Sequence, residues 1–248
     1  MEQYDKWQEY WDNYLLNKHG KAEVTSEDDL FFQVARTVQK KPVEKIVFDM
    51  LVKEIITQLG LKTTDVLIDF CCGNGLFTYE LRNDAQQIIG VDFSAQIIEA
   101  AKRFKSAPNI TYCLGGIIDF LKRFKTDFPG LAPDKYLMND ALAYFNTADL
   151  ELMLRHIAEL SPAGFDFALR GVPDDELKWT FYNTEERKQR YLDNVKKGDL
   201  TNDGLGRWWS KDEVNEVCSK LNLKCEIMNL TLPGSEYRMD IVISDHHK

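Results

Sequence analysis

Thirteen residues constrain this chain more than any other stretch: Val66-Leu-Ile-Asp-Phe-Cys-Cys-Gly-Asn-Gly-Leu-Phe-Thr78. An apolar strand that stops at an acidic residue, turns through glycines and opens a helix leaves a ring of backbone N–H groups at a helix N-terminus, where a ligand approaches closely. A second apolar run, Ile88-Ile-Gly-Val91, ends on Asp92, 23 positions after Asp69. That spacing sets a carboxylate acceptor where a ribose diol would lie. Together the two strand ends read as a nucleoside pocket.

The turn itself narrows the choice of nucleoside. A pyrophosphate-binding loop needs G-x-G-x-x-G, the third glycine allowing close packing of helix on strand. Here Gly73 and Gly75 are followed by Thr78, and the charge of Asp69 would repel a pyrophosphate. The ligand that suits Asp69 is uncharged at its ribose and carries an ammonium group. On these residues the chain resembles the Rossmann-like S-adenosylmethionine-dependent methyltransferases, whose first motif is an apolar strand, an acidic residue and G-x-G-x-G. It departs from that motif at the first glycine, which is Cys71, a residue that does not freely take a positive φ.

Composition agrees with one large or two small globular domains. The chain has 248 residues, 44% of them hydrophobic, with no apolar run near the length of a membrane span. Its first residues, Met1-Glu-Gln-Tyr-Asp-Lys-Trp7, lack the pattern of a secretion signal, so the expected location is the cytoplasm. The five cysteines are read as reduced thiols without zinc-ligand spacing, and His246 and His247 make too short a cluster for a metal, so no metal site is expected. A net charge of −9 argues against binding nucleic acid through a basic face. The expected partner is a small-molecule substrate; nothing in the sequence sets the oligomeric state.

Periodicity orders the elements. Val43, Ile46, Val47, Met50, Leu51, Ile55 and Leu59 recur at helical spacing and stop at Gly60. Ser94 caps a helix after the second strand. Ile110–Leu114, Tyr136–Met138 and Phe165–Leu169 are further strands, with helices at Ile117–Lys125 and, capped by Asp149, at Leu150–Leu160. Ser210 opens a last helix, and Lys224–Thr231 and Tyr237–Ser244 flank Pro233-Gly234 as an antiparallel pair. The expected fold class is α/β: a Rossmann-like, mainly parallel, doubly wound sheet with a C-terminal antiparallel hairpin. Residues 43–248 form the expected catalytic domain, with an aromatic and charged cap segment inserted at about 174–205. Residues 1–42 form a lid-like helical extension, on which Tyr4, Trp7, Tyr10, Trp11 and Tyr14 make an aromatic stripe. The stripe reads first as core packing against the sheet domain and second as a lid over the cofactor site.

The resemblance implies S-adenosylmethionine as cofactor and distributes roles at the carboxyl ends of the strands. Asp69, Cys71, Gly73 and Gly75 line its methionine part, Asp92 accepts the ribose hydroxyls and Phe93 lies against the adenine. The usual acid after the third strand is replaced by Gly116, leaving the backbone of Gly116 and Ile117, or Asp119, to meet the adenine amine. Asn139, Asp140 and Tyr144 follow the fourth strand beside the expected methyl position, where Asp140 is either a general base or a helix cap. Tyr10, Trp11 and Arg170, just past the fifth strand, are the candidate substrate contacts. The implied activity is methyl transfer to a hydroxyl or amine of a small molecule, driven mainly by proximity and orientation. A protein methyltransferase, or a non-catalytic cofactor-binding scaffold, are the competing readings.

Overall fold

The computed structural model describes residues 2–198, 204–230 and 235–245. In chain order the elements are α1 (Glu2–Asp12), α2 (Tyr14–His19), α3 (Glu27–Gln33), the two-residue strands β1 (Thr37–Val38) and β2 (Lys41–Pro42), α4 (Lys45–Leu59), β3 (Val66–Phe70), α5 (Leu76–Glu80), β4 (Gln87–Asp92), α6 (Ala95–Phe104), β5 (Ile110–Leu114), α7 (Ile117–Asp127), β6 (Lys135–Asn139), α8 (Thr147–Leu160), β7 (Phe165–Pro173), α9 (Lys178–Phe181), α10 (Glu185–Lys197), α11 (Lys211–Lys220), β8 (Lys224–Asn229) and β9 (Arg238–Asp245). Seven strands form one sheet in the order β5-β4-β3-β6-β7-β9-β8. β3 to β7 run parallel, while β9 pairs antiparallel with both β7 and β8. Strand order reverses between β3 and β6, which opens a crevice at their carboxyl ends.

Alternation along each strand divides the core. Ile68 and Phe70 of β3 face α7, α8 and α11 with Phe120, Met153 and Val214. Leu67 faces the other way, against Ile55 and Leu59 of α4, and this second core also takes in Leu15, Val24 and Leu30 from the N-terminal segment. Leu30 is fully buried, and a side chain of that size stabilises the fold by about 1.5–3 kcal/mol on burial. The first forty residues therefore contribute to the core of the sheet domain.

The helix ends follow their capping residues. Gly60 closes α4 in the left-handed conformation, and the Ser94 side chain accepts the Ile97 N–H at the start of α6. α8 starts three residues earlier than its apolar periodicity indicates. Asn146 is its cap, and Asp149 completes a capping box from the third position instead of capping the helix itself. β7 continues beyond Leu169 to Pro173, because a register shift at Leu169/Val172 lets β9 pair with the whole strand. The expected hairpin is present, with its turn at Pro233-Gly234, and Thr231, outside the described residues. His246 and His247 also lie outside them, as does part of the 174–205 cap segment; of Tyr4 only the backbone is described.

Candidate active site

The cavity lies where the topology directs it, over the carboxyl ends of β3, β4 and β6, and Asp69, Asp92 and Asn139 from those three ends all line it. The loop after β3 supplies its floor. Gly75 has φ +75° and opens α5, and a Cβ there would stand 2.2 Å from the Tyr112 hydroxyl oxygen, so both conformation and close packing demand glycine. Cys71 adopts φ +54° despite its side chain. This backbone keeps the glycine conformation with a non-glycine residue, at a cost of about 1–2 kcal/mol.

Two buried carboxylates dominate this end of the cavity. Asp69 accepts a hydrogen bond from the Thr78 hydroxyl at 2.6 Å. Burial pushes its pKa up to about 7, opposed by Thr78 and reinforced by the charge of Asp92. Asp92 accepts the backbone N–H of Gly73 at 3.1 Å through one oxygen and that of Ser94 at 3.0 Å through the other. Burial also raises its pKa, to about 6, against those backbone bonds. Among the described residues neither carboxylate forms an ion pair with a lysine or arginine.

A second polar group occupies the opposite end. Asp140, at φ +56°, places its carboxylate between the guanidinium groups of Arg36 and Arg238, with which it forms ion pairs. Both arginines line the cavity beside Trp11, Tyr144 and Asn139. Tyr144 packs against Trp7 with ring centroids 4.3 Å apart, and burial pushes its phenol up. Trp7 is buried, and Tyr10 packs on Trp7 and Trp11. The aromatic stripe is thus core along Trp7 and cavity wall at Trp11.

The N-terminal segment is also tied to the loop below it. Asn74, fully buried between Gly73 and Gly75, donates to the Leu30 carbonyl at 2.8 Å and to Gln33 Oε1 at 3.0 Å. α3 thereby braces the loop, and the residues after it, Val34, Ala35 and Arg36, form part of the cavity wall.

A methyltransferase-domain family model matches residues 67–164, the stretch from β3 to the end of α8. That stretch holds the acidic strand ends and the glycine turn on which the resemblance to S-adenosylmethionine-dependent methyltransferases rests. An uncharacterized methyltransferase of Schizosaccharomyces pombe is 36% identical over 52 residues, a match that spans only 21% of this chain and 20% of that protein. Magnesium protoporphyrin IX methyltransferase from Synechocystis, solved with S-adenosylmethionine bound, superposes with a TM-score of 0.58 at 11% identity, over 98% of this chain and 97% of that one. Geranyl diphosphate C-methyltransferase from Streptomyces coelicolor superposes with a TM-score of 0.61 at 12% identity, over 98% of each chain. At such identities the likeness concerns the fold.

Asp69, Cys71, Gly73, Asp92, Phe93, Asn139, Asp140, Tyr144 and Trp11 all line the cavity, whereas Gly75 is outside the lining and packs against Tyr112. Four further expectations change. Arg170 does not point into the crevice: inside the extended β7 it is buried, paired with Asp240 at 3.0 Å and Glu54 at 2.6 Å, and donates to the Leu51 carbonyl. Its charge is consumed in tying α4 to the sheet. Gly116 caps α7, and Ile117 turns into the core with Phe120, so neither lines the cavity; Asp119 is exposed beside them. Tyr10 stands outside the lining, on Trp11. Asp140 is not a helix cap, and both its oxygens are engaged by guanidinium groups, which removes it as a free general base.

The sequence reading missed Arg36 and Arg238. A signal for Arg238 existed: an antiparallel strand presents its first residue at the edge where parallel strands present their last, and Arg238 is the first residue of β9. Arg36 lies in a connection whose course no periodicity reveals. Among the described residues no group of three His, Cys, Asp or Glu side chains converges as a metal site, and no helix is long and apolar enough to cross a membrane.

Proposed function

We propose that this chain transfers a methyl group from S-adenosylmethionine to a small-molecule acceptor that presents a hydroxyl or an amine. One observation carries the reading: two buried carboxylates, Asp69 and Asp92, face one cavity without a cationic partner among the described residues. Burying such charges is unfavourable unless a ligand brings the complementary charge, and a ligand with an ammonium and a sulfonium does so. Asp92 retains acceptor capacity on each oxygen beyond its backbone bonds, which suits a diol. Phe93 and Ile97 offer an apolar surface beside it for the base.

The bound cofactor supplies a methyl group already activated by its sulfonium. The chain's own work is then to orient the acceptor and exclude water during transfer, the acceptor's proton passing to solvent afterwards. Trp11 and Tyr144 wall the acceptor end and restrict water. Asn139 and the Tyr144 hydroxyl are the polar groups there not committed to an ion pair. Orientation of this kind contributes up to about 7–11 kcal/mol for well-placed reactants.

A small acceptor is favoured over a protein because the cavity is walled by the N-terminal segment and Tyr144 instead of running as an open groove. Two of the similar structures bear names of small-molecule enzymes, acting on magnesium protoporphyrin IX and geranyl diphosphate.

Calorimetric titration with S-adenosylhomocysteine tests the cofactor half. Asp92→Ala should weaken binding by about 1.5–3 kcal/mol, the range for a hydrogen bond to a charged group. Unchanged affinity in the folded variant, or no binding by the parent protein, would reject the reading. Transfer of label from methyl-labelled S-adenosylmethionine to members of an acceptor panel tests the other half.

A further inference from the structure

The acceptor end of the cavity holds two guanidinium groups and one carboxylate, an arrangement with one positive charge in excess. Arg36 bonds Asp140 Oδ2 and Arg238 bonds Asp140 Oδ1. Arg238 further donates to the Gly171 carbonyl at 2.7 Å. Each guanidinium has five N–H donors in a planar fork, and among the described residues these bonds use only part of them. Both planes are held by rings: Arg36 lies 4.9 Å from the Phe77 centroid and Arg238 5.1 Å from that of Tyr237.

The local backbone is shaped for this cluster. Asp140 and Gly171 both adopt positive φ, and a Cβ at Gly171 would stand 2.0 Å from Asp140 Oδ1. Gly171 is thus the notch that receives the carboxylate. Burial, with the charges of Arg238 and Arg170, pulls the Arg36 pKa down to about 9, as expected of a cation whose counter-charge is incomplete. The remaining cavity charges, Asp69 and Asp92, belong to the cofactor end.

We infer that Arg36 and Arg238 form an anion subsite, so that the methyl acceptor is a small molecule carrying a carboxylate or a phosphate monoester, the group that completes the charge around Asp140. A bidentate guanidinium–oxyanion contact fixes both position and angle. That would aim the acceptor's hydroxyl or amine along one direction toward the cofactor. The inference rests on the methyltransferase reading.

The experiment is calorimetric titration of sodium benzoate and, separately, inorganic phosphate into protein saturated with S-adenosylhomocysteine. One saturable site for either anion is expected, benzoate alone indicating a carboxylate acceptor and phosphate alone a phosphate monoester. Arg36→Met and Arg238→Met should each weaken the anion at least about tenfold, since a charged hydrogen bond is lost, while S-adenosylhomocysteine binding stays within threefold. Asp140→Asn gives the opposite sign: removing the competing carboxylate should tighten the anion by about fivefold or more. A clasp that merely holds the fold together predicts no such gain. Should the Met variants fail to fold, Arg36→Lys and Arg238→Lys keep the charge but lose the fork, and weaker anion binding by either supports the subsite. Anion binding that is absent, indifferent to the arginine variants or weakened by Asp140→Asn overturns the inference. If S-adenosylhomocysteine binds but neither anion does, only the subsite falls; if S-adenosylhomocysteine itself does not bind, the cofactor reading falls first.

Discussion

Replacing Asn74 by alanine should loosen two parts of the molecule at once. The side chain is fully buried and donates two hydrogen bonds, at 2.8 Å to the Leu30 carbonyl and 3.0 Å to Gln33 Oε1. Each bond contributes about 0.5–1.5 kcal/mol net. Asn74→Ala removes both and leaves two acceptors facing an apolar methyl, so a loss of about 1–3 kcal/mol is expected. In urea, at a slope near the upper end for such domains, about 3 kcal/mol per molar, the midpoint should fall by about 0.3–1 M. Asn74→Asp should be worse, because it sets a carboxylate oxygen against those same two acceptors, with no donor to offset its burial. Limited proteolysis supplies the spatial half of the test: cleavage within residues 1–36 should accelerate before cleavage of the sheet, since α3 loses its tie to the glycine loop. A midpoint equal to the parent's, or an Asn74→Asp protein as stable as the parent, would refute the bracing role.

Three further outcomes are expected. Asp69 and Asp92, raised to about 7 and about 6 from an ordinary 3.8, bind protons in the fold that the unfolded chain has released. The ligand-free fold should therefore lose stability as pH rises from about 4 to 7, while S-adenosylhomocysteine, bringing its ammonium, should bind more tightly over the same rise; calorimetry across pH 5–8 showing flat or falling affinity would contradict this. Cys71→Gly relieves about 1–2 kcal/mol of left-handed strain against about 0.5–1 kcal/mol of added chain entropy. The net of about 0–1.5 kcal/mol should raise Tm by up to about 6 °C, and a lower Tm by calorimetry would count against strain at Cys71. Arg170→Ala strands Asp240 in the core and should cost about 3–5 kcal/mol in chemical denaturation, whereas a surface substrate contact would cost almost nothing.

The parallel half of the fold was legible because each strand is an apolar run ended by a turn signal, as in Val66–Phe70 and Gln87–Asp92. The cofactor end of the cavity was legible for the same reason: its residues sit where those strands stop. Legibility failed where partners distant in sequence decide the local structure. Arg170 looked like a residue just past the strand because the apolar run ends at Leu169, yet pairing with β9 carries β7 on to Pro173. Burial of Arg170 then depends on Glu54 and Asp240, far away in the chain. Asn146 was passed over as a cap because the apolar period begins only at Leu150, while the helix needs just its polar first turn to start. Gly116 was placed by analogy with a motif position, and the cavity does not extend to it. The role of Asp140 turned on Arg36 and Arg238, which stand 104 and 98 positions away.

The order of the sheet sets a timetable for biosynthesis. β9, the last strand among the described residues, is an interior strand, inserted between β7 and β8. Emerging from the ribosome, β8 has nowhere to pair until residues 238–245 follow it, and until then β7 presents a bare edge. That same arrival delivers Arg238 to Asp140, so the acceptor end of the cavity takes shape only after β9 has emerged, a few seconds behind β8 at rates of about 5–20 residues per second. A nascent chain can hold its glycine loop and both cofactor-facing carboxylates well before it can grip an acceptor.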